Sequence, residues 1–561
     1  MNEVLDRLAS AGTTRAHILK LLFLVLLCLA TLSTGITRLP VTDRDESRYV
    51  QATRQMAETG NYVDIRFQDQ PRYLQPVGIY WLQSAAIILT GTGPDAPVWI
   101  NRLVSQVAAI VAVLMTYLIG TRLFGPAVGF IGAIGLTGIV MLNFEARIAK
   151  TDATVLAAAV TMQYMLAQIY LGVRQQKPAW RFAPWLFWIA VGCGAMVKGP
   201  IVPGIGLLTV AALSIHDRDL SWAKALKPLR GLLIVALIAA PWLIAITAIS
   251  GKTFWHEAIV RSMFSKIKSG QESHGFPPGY YFVAYSVFMW PFALEGLRGG
   301  LKGLRAFRTD PRAAFCLAWI IPIWIVFELV PTKLPHYVLP TYPALLILAG
   351  WWLTDGVRDA PRPRWETWLV RLAVLGWAIV TLALFIACIA VYPYLLARWN
   401  SLGLVAGVLI LLAGWLGSGF RSPFPSPVSR VLAASLAAGL ALGIVAFKLL
   451  PEMKPLWLGQ EIGATFHEVK PCPGSLLASS AFREPSLVVN AGTKTILTDP
   501  EGAAAHLIAD PACAVAAVRD DQQELFRGAL GGRETEVLAT ISGFDYTKGT
   551  GRNIQILRLA P

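Results

Sequence analysis

Long apolar runs set the first limit on this chain. Stretches of about 20 residues, the length that crosses a bilayer as a helix, recur from residues 18–36 to residues 431–449. Of 561 residues 55% are hydrophobic and only 15% charged, and mean hydropathy is +0.54. One soluble core cannot bury that much apolar surface, because cores stop growing at roughly 250–300 residues. The pattern is that of a polytopic α-helical membrane protein. The formal net charge of +15 does not point to nucleic acid. The basic residues sit mainly in short loops between apolar runs, the bias that orients membrane proteins. No cleavable leader is expected: residues 18–36 are long enough to span, and no small-residue cleavage site follows.

Loop charge predicts the topology. Arg7 and Arg15 precede the first run and Lys20 opens it, which places the N-terminus in the cytoplasm. Residues 77–90 are about fourteen apolar residues, too few to cross, and read as an interfacial helix with Tyr80 and Trp81 at headgroup level. Later runs then alternate regularly: 98–118, 127–142, 153–171, 184–197, 201–215, 231–249, 280–294, 313–330, 338–353, 368–395, 402–416 and 431–449. With the first, that makes about thirteen spans. The most basic loops, such as that carrying Arg298, Lys302, Arg305, Arg308 and Arg312, fall inside. Residues 1–450 form the membrane region, with outer segments 38–97, 143–152, 250–279 and 331–337.

Beyond Pro451 the composition changes. Short β-like runs at 475–479, 486–489, 495–497, 514–518, 537–541 and 554–559 alternate with helix-like pieces at 458–469 and 501–508. Residues 451–561 thus read as a small periplasmic α/β domain. It holds Cys472 and Cys513, which an oxidising compartment permits to pair, although spacing alone does not show a bridge. Cys28, Cys193, Cys316 and Cys388 lie in apolar runs and read as packing residues.

The outer segments carry the reactive groups. TDRDESRY, residues 42–49, supplies Asp43, Asp45, Glu46 and Arg48 after the first span. A competing account is that Asp45 and Glu46, at a helix start where the dipole favours acids, serve merely as caps, and the same account applies to Asp152 at the head of a span. The second segment adds Glu145, Arg147, Lys150 and Asp152, the third Arg261 and His274, the fourth Lys333, His336 and Tyr337. Cations of this kind suit phosphate. Carboxylates beside them suit proton transfer or the stabilisation of positive charge on a sugar. His274 and the carboxylates could bind a divalent metal, but no spacing demands one.

Six motifs in order carry a resemblance: DESRY-x6-M-x3-G from Asp45 to Gly60, PRYLQPVGIYWLQ at 71–83, RIAKTDA at 147–153, KGP at 198–200, HGFP at 274–277 and KLPHYVLP at 333–340. Together they resemble the ArnT-like polyprenyl-phosphate-dependent glycosyltransferases, which have the GT-C fold and are related to protein O-mannosyltransferases. The resemblance implies an inner-membrane enzyme of a bacterium. Such an enzyme moves a sugar from a polyprenyl-phosphate donor to lipid A, another envelope glycolipid or protein, on the periplasmic face and with inversion. It implies a catalytic set of Asp45 as the principal acidic residue, serving as base or electrostatic stabiliser, with Glu46 beside it and Asp152 as the second acidic position. Arg48, Arg72, Gln75, Arg147, Lys150, Arg261, His274, Lys333 and Tyr337 become the donor-site set. Gln75 departs from the family, which often has Lys before this proline. A transporter or flippase for lipid-linked sugar is the rival, but charges cluster at one face and no two-half symmetry is evident.

Overall fold

The computed structural model describes residues 2–175, 179–258, 276–355, 363–420 and 422–560. Among these, nine helices are long and apolar enough to cross a membrane. They begin with α2 (Thr14–Leu32) and include α5 (Val98–Phe124), α8 (Asp152–Arg174) and α11 (Pro228–Ser250). Shorter apolar helices are α4 (Gly78–Thr90), α6 (Pro126–Gly138), α9 (Ala183–Lys198) and α10 (Ile201–Asp217). Preceding them, α1 (Asn2–Ser10) packs against α6, and α3 (Asp45–Thr59) follows the first span. The thirteen predicted spans largely match helices, and residues 77–90 do form the short helix α4.

Two breaks in the bundle matter for the site. α6 stops at Gly138 because Ile139 is extended (ψ 142°), and α7 (Val140–Glu145) restarts at a new angle. Asn143 Nδ2 takes up the freed carbonyls of Thr137 and Ile139 at 2.9 and 3.0 Å. The second break corrects the expected span at 280–294. That run is a helix only over Tyr280–Phe288, and a separate helix covers Ala293–Ala306. Proline at 291 removes a backbone donor there. The two breaks meet, since Val140 N–H donates to Trp290 O at 3.0 Å. The basic loop expected after 294 is therefore largely helical, with apolar residues on one face and Arg298, Lys302 and Arg305 among the others.

Close helix approach also needs glycine at one point beside the site. A Cβ on Gly78 would stand 2.6 Å from Met196 O, so only glycine lets α4 lie against the end of α9, two residues before Lys198.

After α3, β1 (Arg66–Phe67) and β2 (Gln70–Pro71) form a short antiparallel pair. The tail carries β3 (Leu477–Ser479), β4 (Ile496–Leu497), β5 (Val515–Arg519), β6 (Thr535–Asp545) and β7 (Thr550–Leu559), a five-stranded sheet in the order β4-β3-β5-β7-β6. β3 pairs in parallel with β4 and β5, and β7 runs antiparallel between β5 and β6. Leu477, Val515, Ala517 and Ile556 pack on one side of the sheet, Ala478, Ala516, Val518 and Leu557 on the other, the alternation that strands impose. Residues 486–489 are helical rather than extended, within Pro485–Ala491. Pro485 at the first position presets helical φ and outweighs the β preference of Val488 and Val489. Cys472 and Cys513 are disulfide-bonded. Cys28, Cys316 and Cys388 are buried as expected, whereas Cys193 is exposed on α9.

The bridge closes a loop of 41 residues, for which the chain-entropy relation gives about 4 kcal/mol. Cys472→Ser with Cys513→Ser is therefore expected to loosen the tail by that order. Thermolysin digestion of the full-length protein across a denaturant series checks this, and an unchanged cleavage midpoint would contradict it.

Candidate functional site

Four separated segments converge at one end of the bundle. α3 brings Asp45, the loop after α7 brings Glu145, Lys150 and Asp152, the end of α9 brings Lys198, and the turn at Pro335–Thr341 brings His336 and Tyr337. Asp152 lies at the centre. Its Oδ1 is 2.5 Å from Lys198 Nζ and 3.4 Å from His336 Nε2, and its Oδ2 is 3.4 Å from Lys150 Nζ. Lys150 also reaches Glu145 Oε1 at 3.1 Å and His336 Nδ1 at 3.4 Å. The helix N-cap is Thr151 and no side chain caps it, so Asp152 is held by lysines and not by capping.

Burial makes this cluster electrostatically tight. Glu145 is 1% exposed, and burial raises its carboxyl to about 7 although Lys150 opposes the shift. For Lys150, burial favours the neutral amine, yet Glu145 and Asp152 outweigh it and hold the ammonium above the usual lysine range. Glu145, Asp152 and His336 present ligand atoms within 4.8 Å of one another and could hold a metal ion. Two ammonium groups already sit on those atoms, and only Glu145 Oε2 is buried without a partner. A divalent cation bound there has to displace a lysine.

Asp45 stands on the first turn of α3, partly buried. No described residue hydrogen-bonds or ion-pairs with its carboxylate, yet its field reaches Tyr49, Arg72, Lys150 and Tyr337. It caps nothing: the residue before the helix is Arg44, and α3 has no side-chain cap. Arg72 lies beside it, with Nε donating to Tyr80 Oη at 3.1 Å and its guanidinium over the Tyr49 ring. Arg48 follows one turn along the same helix.

Glu46, the neighbour of Asp45, has a different environment. It is fully buried, and Arg102 Nε and Nη2 donate to its two oxygens at 2.8 and 3.1 Å. The N–H groups of Thr42 and Ala149 donate to the same carboxylate at 2.8 Å each. Its acceptor capacity is spent, which removes it from proton transfer. The expectation that Glu46 works beside Asp45 is corrected by this geometry. Arg102 in turn holds the carbonyls of Ile36, Leu39 and Pro40, the chain that leaves the first span.

Two expected phosphate ligands also have other tasks. Arg147 spends its guanidinium on the carbonyls of Thr31, Thr34 and Asn143, stapling the end of the first span. Lys333 is 1% exposed and donates to Phe327, Glu328 and Val330 carbonyls at 3.2, 2.7 and 2.8 Å. It caps the helix Pro311–Leu329, whose last carbonyls lack partners. Arg261 and His274 lie outside the described residues. Lys198 joins the cluster although sequence reasoning gave it no role, and Glu145 and His336 join it although they were counted among the outer-segment groups but not in the donor-site set. KGP at a tight turn was the available signal for Lys198, and His336 stood in a motif read for its neighbours.

A cavity of about 500 Å³ opens beside the cluster. Its walls are apolar, from Leu74, Ile205, Leu208, Phe254, Val326 and Phe327 among others, between α10 and the helix Pro311–Leu329. Gln75, Lys198 and Tyr337 are among the few polar groups that reach it, and Lys198 Nζ sits 5.6 Å from the centre of the Tyr337 ring. Gln75 Oε1 is buried without a partner.

Removing the charge of Arg102 leaves Glu46 buried and unpaired, a loss of about 3–5 kcal/mol. Arg102→Ala is expected to lower the thermal midpoint in detergent sharply, and a midpoint within one degree or so of the parent would contradict the clamp.

Comparisons with known proteins agree with this architecture. Residues 74–244 match the family model described as dolichyl-phosphate-mannose-protein mannosyltransferase. Relatives include the undecaprenyl phosphate-alpha-4-amino-4-deoxy-L-arabinose arabinosyl transferases of Aeromonas salmonicida, 26% identical over 68% of each chain, and Pectobacterium carotovorum, 25% identical over 66% of each. The alignments thus span about two thirds of those relatives. The crystal structure of ArnT from Cupriavidus metallidurans bound to undecaprenyl phosphate superposes with a TM-score of 0.73 at 18% identity, covering 98% of both chains. The apo structure of the same protein gives 0.72 at 17% identity. The chain is a multi-pass membrane protein with the GT-C fold, and it is similar in sequence and structure to the ArnT-like glycosyltransferases.

Proposed function

We propose that the enzyme transfers a glycosyl group from a polyprenyl-phosphate-linked donor to an acceptor of the cell envelope, on the outer face of a bacterial inner membrane. The observation that carries this reading is the apolar cavity ending at Lys198 and Tyr337, directly beside Asp152. An isoprenoid tail needs apolar walls, and a phosphate needs a cation where those walls end. The relatives' names describe undecaprenyl-phosphate-linked donors, and the superposed protein was crystallised with undecaprenyl phosphate. The acceptor is a glycolipid such as lipid A or a protein hydroxyl.

In this reading the tail lies between α10 and the helix Pro311–Leu329. The phosphate meets Lys198 and the Gln75 amide where the cavity ends, with Lys150 behind Lys198 on Asp152 and Arg72 over Tyr49 on the Asp45 side. Gln75 contributes hydrogen bonds only, and Lys198 supplies the charge beside it. Asp152 keeps both lysines in place as a buried counter-ion. Asp45 receives the proton of the acceptor hydroxyl. The acceptor oxygen bonds to the anomeric carbon as the bond from that carbon to the phosphate oxygen breaks, with inversion. The phosphate leaves as a monoester stabilised by the cations. Glu46, Arg147 and Lys333 are positioning residues: the first holds α3, the second the exit of the first span, the third the helix that walls the cavity.

The disulfide between Cys472 and Cys513 supports a periplasmic tail, since such bonds persist in oxidising compartments. Residues 451–561 then form a periplasmic domain on the membrane region, residues 1–450, and the N-terminus is cytoplasmic.

Two measurements on membranes supplied with a polyprenyl-phosphosugar check the assignment. Asp45→Asn is expected to cut release of polyprenyl phosphate by about 100-fold or more, the scale of a lost general base, with normal expression; near-parent release would sink the role. Lys198→Ala is expected to raise donor KM by about 10- to 100-fold, as the loss of a charged hydrogen bond implies. Lys333→Ala should leave donor KM within about twofold while lowering thermal stability, and the reverse pattern would place the phosphate at Lys333.

A further inference from the structure

Because no described residue binds the Asp45 carboxylate, its aim depends on the backbone that carries it. That backbone is strained. Arg44, immediately before it, has φ 64° and ψ −102°, a region L side chains rarely adopt. Such a conformation persists only where its surroundings overdetermine it. Here they come from the far end of the chain. The N–H of Asp43 donates to Tyr546 Oη at 2.8 Å, and Arg44 Nη2 donates to Thr547 O at 3.2 Å. Both acceptors belong to the four-residue loop that joins β6 to β7.

The loop is itself braced. Gly549, at φ +68°, donates its N–H to Asp545 O at 2.8 Å. Thr547 Oγ1 lies 2.7 Å from Asp545 Oδ1 and 3.0 Å from Glu484 Oε1, and Asp545 is 3% exposed. The Tyr546 ring meets Trp457 edge-on at 6.1 Å. Asp43 is partly buried against this loop, with Oδ1 out of reach of solvent.

We propose that the β6–β7 loop, through the Tyr546 hydroxyl and the Thr547 carbonyl, is a positioning device that holds the Arg44 turn and so aims Asp45 at the reacting groups. The inference rests on the catalytic reading of Asp45. It separates two kinds of contact along α3. Gln51 Nε2 donates to Thr493 Oγ1 at 2.7 Å and Arg54 Nη1 to Val489 O at 2.8 Å. These dock the middle of the helix on the tail and do not touch the turn. The tail is thereby a working piece of the transferase and not a passive appendage.

The test uses full-length enzyme, compares Tyr546→Phe with Thr493→Val, and reads kcat, donor KM and thermal midpoint, with Asp45→Asn alongside. Tyr546 is 40% exposed, so phenylalanine leaves the Trp457 contact and opens no cavity. Misplacement by an ångström costs up to about 100-fold in rate. Tyr546→Phe is therefore expected to lower kcat by about tenfold or more, with donor KM within about twofold and the midpoint unchanged. Faster amide exchange at residues 43–48 should accompany it. Thr493→Val should keep the parent kcat. Parent kcat in Tyr546→Phe, or an equal loss in Thr493→Val, overturns the inference while an inactive Asp45→Asn leaves the catalytic reading standing. Near-parent turnover in Asp45→Asn overturns that reading, and the inference with it.

Discussion

Glu46 and Arg102 form an ion pair with almost no solvent exposure, and the geometry of the site depends on it. The pair joins three pieces of chain that sequence separates widely. Arg102 comes from α5, Glu46 from α3, and the Ala149 N–H from the loop that carries Lys150 and Asp152. Arg102 also collects three carbonyls from the exit of the first span. A buried ion pair is weak evidence for net stability, because desolvation opposes the Coulomb gain. Breaking one partner is costly all the same, and this pair has a fixed consequence: it sets Asp45, one residue away, against the Asp152 cluster.

The cluster solves a charge problem next to lipid. A phosphate needs cations, yet unpaired lysines near the hydrocarbon region are expensive. Asp152 pairs with Lys198 and Lys150, and Glu145 with Lys150 again, so the cations are partnered and ordered before a ligand arrives. The cavity walls, by contrast, carry almost no charge. A ligand with an apolar tail and an anionic head thus meets complementary surroundings at each end. The strained Arg44 turn and the tail loop that holds it extend this preorganisation to Asp45.

Much of the fold was legible from the sequence because it rests on apolar length and loop charge. The short helix at 78–90 followed from counting residues against the bilayer. The break at residues 289–292 did not, since apolar composition continues through it and only Pro291 marks the place. In the tail, Pro485 turned a β-like Val-Val run into a helix. Site residues were legible as a group and less so by role. Asp45, Asp152, Lys150, Arg72 and Gln75, separate in sequence, lie at the same end of the bundle. Glu46, Arg147 and Lys333 look like site residues in a string, but their partners are backbone carbonyls and a distant arginine that no local pattern announces. The same blindness hid the pairing of Lys198 and of His336 with Asp152, which lies 46 residues away in one case and on a separate segment in the other.

The position of the lipid phosphate tests the central claim most directly. A cryo-electron microscopy structure of the full-length protein with polyprenyl phosphate in a lipid nanodisc would locate it. The expected result is phosphate density in hydrogen-bond contact with Lys198, with the first isoprene units running between α10 and the helix Pro311–Leu329. Phosphate density away from Lys198, with the cavity between those helices filled by bulk lipid alone, would contradict it.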